Sequence, residues 1–321
     1  MEQKLSIILS AGRSCFVKCP GCYNFFGKNK KLTSTDTLKD FLSYAHSTGV
    51  HKVTIGGGDP LSRPDILDLL RYLREREFKV HLDTVGTPLL GDTETYFYGN
   101  FAVPAVSARE LASLVDLIGI PFDGISNEEA KIFRTGRPDF FNEQLRVLEL
   151  LDDAGANICV NSVIHKNNYE SIHMLWPKIT SFPSVQQWQC FQFMPIGPLG
   201  FTNRAEYEIA DELFLQARDK IQLLAAENPS SCEVEYKSRM QRKGNYLLID
   251  TDGVAWVPNT TITREWNAAA DPTKERIILG NINNKLDYPK LLEAVHDPSK
   301  VYEIAKRNQD VQVHPITFVM K

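Results

Sequence analysis

The chain has 321 residues, 43% of them hydrophobic and 24% charged, with a net charge of −4 at neutral pH. That is an ordinary globular balance, enough for one large domain or one domain plus a smaller one. The mildly negative charge argues against nucleic acid or an anionic membrane as the main partner. The start, MEQKLSIILS, is too short in its apolar part and runs into Arg13 and Lys18 without a cleavage site, so it does not read as a signal peptide. The uncharged run Thr180–Asn203 contains four Gln and three Pro and does not read as a membrane span. Three of the six cysteines fall within eight residues, and Cys159, Cys190 and Cys232 are scattered. A disulfide framework would spread them more evenly, so the triplet points to metal in a reducing, cytoplasmic compartment.

In chain order, apolar runs of strand character alternate with amphipathic stretches. The first strand is expected over Leu5–Leu9 and a helix over Ser34–Ser47. Strand Lys52–Ile55 precedes helix Pro64–Glu77, where Leu67, Leu69, Leu70 and Leu73 share a face. Strand Lys79–Asp83 follows, then helix Ser107–Ser113, strand Leu114–Ile120, helix Asn142–Ala154, strand Ile158–Ile164, helix Tyr169–Ile179 and strand Gln187–Met194. This alternation implies a parallel sheet with right-handed crossovers. Six such units suit a partial (β/α) barrel and a doubly wound sheet equally well. After Pro198 the character changes: one long helix is expected over Ala205–Asn228, then strands Glu233–Tyr236, Tyr246–Asp250, Val254–Val257 and Ile277–Leu279, and a helical stretch Tyr288–Asn308. Asp252-Gly253 signals a hairpin turn. The chain therefore divides into a barrel over 1–204 and a small α+β extension over 205–321 that could close the barrel's open side.

Cys15-Phe-Val-Lys-Cys19-Pro-Gly-Cys22 lies just past the first strand, at the sheet edge where α/β proteins place their chemistry. Three thiolates can hold three irons of a [4Fe–4S] cube and leave the fourth open to a ligand. Structural zinc is the alternative, making the chain a zinc-stabilised binding protein. Zinc asks for four ligands, and no second cysteine pair follows.

The CxxxCxxC spacing after a first strand resembles the radical S-adenosylmethionine (SAM) superfamily. The resemblance implies a partial (β/α)6 barrel, one [4Fe–4S] cluster on Cys15, Cys19 and Cys22, and SAM as cofactor. Gly21 departs from the aromatic residue usual before the third cysteine, so stacking on adenine would fall to Tyr23 or another residue. Gly56-Gly57-Gly58-Asp59-Pro60 resembles the family's Gly-Gly-Glu-Pro turn, implying that Gly56, Gly57, Gly58 and Asp59 receive the SAM ammonium. Asp83 and Thr84 stand where the family has a polar turn near SAM. Arg134 matches an arginine near the SAM carboxylate, with Arg137 as competitor. Asn161 and Ser162 match a polar contact to SAM, and Phe193-Met194 an apolar wall for adenine. These matches cover residues 4–200 in order. The implied reaction is reductive cleavage of SAM to a 5′-deoxyadenosyl radical, which takes hydrogen from a substrate inside the barrel. A one-electron reductant such as flavodoxin or ferredoxin is implied as partner.

The extension carries Asn259 where family members with auxiliary clusters have cysteine, and Cys232 is its only cysteine, so no auxiliary cluster is expected. Two stretches, 160–168 and 231–250, resemble the viperin-like nucleotide dehydratases; Cys159 stands near the first, as a low-ranking catalytic candidate. Asp83–Thr87 and Phe191–Leu199 are similar to cytosylglucuronate decarboxylase. Both likenesses imply a small nucleoside- or sugar-like substrate, expected to be anionic, with Lys237 and Arg239 (beside Arg242 and Lys243) meeting its charge; the charge balance adds the expectation of no nucleic acid and no membrane as partner. Decarboxylation, dehydration or rearrangement within natural-product biosynthesis is the implied outcome, a lyase-type reaction. Modification of a peptide is the alternative, counted against by the lack of a separate leader-binding module.

Overall fold

The structure, a computed structural model, describes residues 5–24, 31–239, 246–259 and 276–309. Twelve strands are present among them: β1 (Ser6–Gly12), β2 (Lys52–Gly57), β3 (Lys79–Asp83), β4 (Thr93–Glu94), β5 (Ala102–Val103), β6 (Leu117–Pro121), β7 (Ile158–Ile164), β8 (Val185–Gln192), β9 (Glu233–Lys237), β10 (Tyr246–Ile249), β11 (Val254–Pro258) and β12 (Arg276–Asn281). Ten form one sheet in the order β12-β11-β10-β1-β2-β3-β6-β7-β8-β9. All pairings from β10 through β1 to β9 are parallel, and β10-β11-β12 is antiparallel. The six strands β1, β2, β3, β6, β7 and β8 are those of a partial (β/α)6 barrel. The C-terminal extension adds β9 to one edge and β10–β12 to the other, continuing the sheet at both ends.

Period-two alternation sorts the strand residues. Ile7 and Leu9, Val53 and Ile55, Val80 and Leu82, Ile118 and Ile120, Ile158 and Val160, and Trp188 and Cys190 are buried on the outer face under the helices. Helix Ile66–Glu75 returns Ile66, Leu69, Leu70 and Leu73 to that layer, all nearly inaccessible. Each such side chain contributes about 2 kcal/mol of burial before entropy is counted. Ser34 caps helix Thr35–Ser47 by accepting from the Thr37 amide at 3.2 Å. Gly253, at φ +84°, turns β10 into β11 as its sequence implies.

Several elements are shorter than the sequence suggests. Leu114 ends a helix rather than starting a strand, and the helix expected over 205–228 begins at Asp211. Pro298 divides the last helical stretch into Tyr288–His296 and Val301–Gln309, because proline cannot continue the first helix. The expected helix 169–179 is a 3-10 turn followed by one helical turn. No helix among the described residues is long and apolar enough to cross a membrane.

Candidate active site

The cysteine loop leaves β1 at its C-terminal end and is pinned by its backbone from several sides. Cys15 donates to the Phe97 carbonyl at 3.0 Å, and its own carbonyl accepts from Tyr96 and Phe97. Lys18 and Thr135 exchange backbone bonds at 2.9 and 3.1 Å, and Asn203 donates to the Pro20 carbonyl at 3.0 Å. Phe16 and Val17 anchor the loop in the core. Gly12 and Gly58 let it press on the end of β2: a Cβ on Gly58 would lie 2.4 Å from the Ser14 carbonyl oxygen, and one on Gly12 1.9 Å from that of Asp59.

Burial is the largest cause raising all three thiols, with Cys22 pushed up to about 12. Cys19 adds to the rise at both Cys15 and Cys22, which puts the three sulfurs in one electrostatic neighbourhood. Arg134 works the other way at Cys19, donating from Nη1 to Sγ at 3.1 Å. Among the described residues no three Cys, His, Asp or Glu side chains are gathered as around a single metal ion. A four-iron cube differs from one zinc in holding its thiolates apart on separate irons. Three thiols in one short loop, one of them met by a guanidinium, suit three irons of such a cube.

Gly21 has a physical reason. A Cβ there would lie 2.4 Å from the Phe193 ring and 2.8 Å from that of Phe133. Those two rings occupy the space that a side chain at position 21 would need. His165 stacks on Phe133 with centroids 4.9 Å apart, and Tyr207 closes the group edge-on. Tyr23 reaches the Gly56 side, its hydroxyl about 4.0 Å from where a Gly56 Cβ would stand. Met194 is largely buried behind this wall.

The structure redistributes the polar candidates. The Asp59 carboxylate is buried and accepts from the Leu61 amide at 2.9 Å, the Thr84 hydroxyl at 2.7 Å and the Val85 amide at 2.6 Å. Burial pushes it up to about 6 against those three donors. Asp59 and Thr84 thus tie the turns after β2 and β3 together. The carbonyls of Gly56–Gly58 are further acceptors at this edge, of which Gly57 already accepts from the Asn24 side-chain amide.

Arg134 pairs with the fully buried Asp123 as well as with Cys19. Its competitor Arg137 binds Glu143 at the wall of a separate cavity of about 610 Å³ lined also by Thr87, Asp92 and Arg146. Ser162 is removed from the site by strand alternation: it points to the outer face, bonded to the Phe122 carbonyl and accepting from Trp188 Nε1 at 2.9 Å. Asn161, one residue earlier, faces inward.

On the inner face Asn161 donates to Asp83 Oδ1 at 2.8 Å, and His81 Nε2 stands 3.2 Å from the same oxygen. Burial raises the Asp83 carboxyl, but His81, Asn161 and Lys237 outweigh it and hold it below its ordinary value. Cys159 is buried beside Asn161 Oδ1 at 3.5 Å and Gln187 Oε1 at 3.6 Å, its thiol pushed up by burial and so neutral. Gln187 donates to Glu235 at 3.1 Å, Gln189 to Gln187 at 2.9 Å, and Lys237 lies 3.3 Å from Glu235 and over the Phe191 ring. Arg239 does not join them. Its guanidinium is neutralised by Glu208 at 3.0 Å and Asp211 at 2.5 Å. Arg242 and Lys243 lie outside the described residues. His81, Gln187, Gln189 and Glu235 escaped the sequence reading, though polar residues two apart inside otherwise apolar strands are the signal that marks them.

The sequence profile of the radical SAM superfamily matches residues 9–175. The chain is 26% identical over 242 residues to an AdoMet-dependent heme synthase of Methanosarcina barkeri, covering 74% of this chain and 64% of that one. It is 23% identical over 175 residues to a PqqA peptide cyclase of Granulibacter bethesdensis, covering 54% and 43%. The chain thus spans about half to two thirds of these relatives. In fold it is similar to Streptococcus suis SuiB bound to S-adenosylmethionine, with TM-score 0.69 and 13% identity over 94% of this chain and 68% of that one. It is also similar to anSMEcpe with bound AdoMet and a peptide, with TM-score 0.65 and 17% identity over 97% and 84%. The chain belongs to the radical SAM superfamily, whose enzymes work with a [4Fe–4S] cluster and SAM.

Proposed function

We propose that Cys15, Cys19 and Cys22 hold the cluster, and that the chain acts on a small nucleoside- or sugar-like molecule lying on the inner face of the barrel. One observation supports this most: an inward polar network of His81, Asp83, Asn161, Gln187, Glu235 and Lys237 reaches the Gly56 turn beside the cysteine loop, where Asp83 and the Tyr23 hydroxyl both come within about 4.0 Å of where a Gly56 Cβ would stand. When bound and reduced, by a donor such as flavodoxin or ferredoxin, the cluster supplies the electron that cleaves SAM to a 5′-deoxyadenosyl radical.

Around that chemistry the chain orients and shields. The carbonyls of Gly56–Gly58 accept from the SAM ammonium, as strand-edge acceptors suited to a cation. Arg134 keeps positive charge against Cys19 and, beside it, against the SAM carboxylate. Tyr23 and Met194, with Phe133 and Phe193, wall the adenine side and exclude water. Asp83 and Asn161 face the substrate below. Decarboxylation, dehydration or a redox-neutral rearrangement follows from hydrogen abstraction on such a substrate.

Peptide modification is the second reading, favoured by the likeness to a PqqA peptide cyclase and to a structure with a bound peptide. The two separate in one assay: deoxyadenosine formation by the reconstituted enzyme with nucleosides, sugar acids or peptides added. Stimulation by a nucleoside or sugar acid supports the first reading. Stimulation by a peptide alone replaces it with the second.

A further inference from the structure

The inner face of the sheet is polar on one side only. His81 and Asp83 of β3, Cys159 and Asn161 of β7, Gln187 and Gln189 of β8, and Glu235 and Lys237 of β9 all occupy inward positions in register: Asp83 opposite Gly119, Gly119 opposite Cys159, Cys159 opposite Gln187, and Gln189 opposite Glu235. Hydrogen bonds run on from strand to strand, from Asp83 through Asn161, Cys159 and Gln187 to Glu235, and His81 and Lys237 stand 3.2 and 3.3 Å from the carboxylates at the two ends. Gly119 is needed under them. A Cβ there would lie 2.0 Å from Asp83 Oδ1 and 2.6 Å from Asn161 Nδ2.

The charges and unused acceptors of this network define a ligand. Two carboxylates face one ammonium, and Arg239 adds nothing because Glu208 and Asp211 hold it. A ligand bearing several carboxylates would have to face Asp83 and compete with Glu235 for Lys237, leaving like charges together in a sheltered site. Asn161 and His81 both address Oδ1 of Asp83, and Gln187 and Lys237 both address Oε2 of Glu235. Among the described residues the second oxygen of each carboxylate is thus left over. His81 Nε2 is buried and makes no aligned hydrogen bond despite its 3.2 Å approach to Asp83. The Asp83 side chain is 42% exposed. Spare carboxylate oxygens accept only from donors, and neighbouring hydroxyls on a ring present donors in pairs.

We propose that this network is a recognition surface for a neutral ligand carrying vicinal hydroxyls, as a pentose or hexose ring does, with the spare oxygens of Asp83 and Glu235 as its central contacts and Gln187 as the residue that positions Glu235. The proposal rests on the reading that substrate lies on the inner face below SAM, and it replaces an anionic ligand by a neutral one, which leaves dehydration or rearrangement as the outcome and sets decarboxylation aside. A site built to bond hydroxyls rejects the analogue without them strongly, because its polar groups are then left unpaired.

Calorimetric titration of the reconstituted enzyme, saturated with SAM so that its own ribose site is filled, tests this. The probes are uridine and methyl glucoside, their 2-deoxy counterparts, a porphyrin tetracarboxylate and a short peptide. At least one diol probe should bind at least tenfold more tightly than its deoxy counterpart. Asp83→Ala and, remote from the rim turns, Gln187→Ala should each weaken it at least tenfold. Absence of diol binding at millimolar concentration overturns the proposal, as does equal binding of diol and deoxy probes, tighter binding of the tetracarboxylate or peptide, or no loss in a folded Gln187→Ala protein. Deoxyadenosine formation by the wild-type enzyme with dithionite is the separate control. If it fails, the radical SAM reading of the site falls; if it succeeds while no diol binds, only this proposal falls.

Discussion

At the rim, Cys15, Cys19 and Cys22 fall within eight consecutive residues of a loop held by backbone bonds of Ser14 with Asp59, Cys15 with Phe97 and Lys18 with Thr135. On the inner face, the polar side chains come from strands spread between residues 81 and 237 and are held mainly by one another. The rim is a frame held largely through its backbone. The inner face is a network whose partners a substrate must exchange. Damage at the rim should therefore cost stability and cofactor together, whereas damage inside should change selectivity first.

The largest effect on stability is expected at Arg134. Arg134→Ala removes the partner of Asp123, a carboxylate with no exposure at all, and should destabilise the protein by about 3–5 kcal/mol. Urea unfolding measures it, and a loss under about 1 kcal/mol would show that the rim frame does not depend on this pair.

A pH-dependent effect should follow at His165, which backs the Phe133 wall. Burial pushes its imidazole down from 6.5 to about 4, so the folded state keeps it neutral while the unfolded chain protonates it. The associated stability is complete above the unfolded value and is lost as pH falls toward the folded one. Between about pH 7.5 and about pH 5, wild type should lose about 2 kcal/mol relative to His165→Leu. A difference between the two proteins that stays flat with pH would remove His165 from the frame.

The smallest effect separates two basic residues that stand two positions apart in sequence. Arg239→Ala should cost about 1 kcal/mol or less and leave substrate KM unchanged, because its charge is spent on Glu208 and Asp211. Lys237→Ala should raise KM, because its ammonium stands in the inner network. Equal effects on KM would merge the two residues into the single anion site that their closeness in sequence suggests.

The same contrast governs what the sequence discloses. The cysteine loop and the glycine turn were legible because their chemistry is local: spacing and residue type sit side by side. The barrel strands were legible through apolar alternation, and Lys79–Asp83 and Ile158–Ile164 keep their expected bounds. The meaning of single polar residues was not legible. Ser162 and Asn161 are neighbours in sequence, yet the pleat puts one in the core and the other in the site. Asp59 reads as a ligand-binding acid, and only the fold shows three donors closing on it. His81 and Glu235 gain their significance from strands far apart in the chain.

The most direct test is made on Cys19→Ala beside wild type, both reconstituted anaerobically with iron and sulfide and supplied with SAM and dithionite. Wild type should carry about four irons per chain and form deoxyadenosine. The variant should lose the broad iron–sulfur absorbance, or keep only a degraded cluster, and form none. Full SAM cleavage by Cys19→Ala, or a wild-type protein that takes up zinc and no iron, would contradict the assignment of the cluster to this loop.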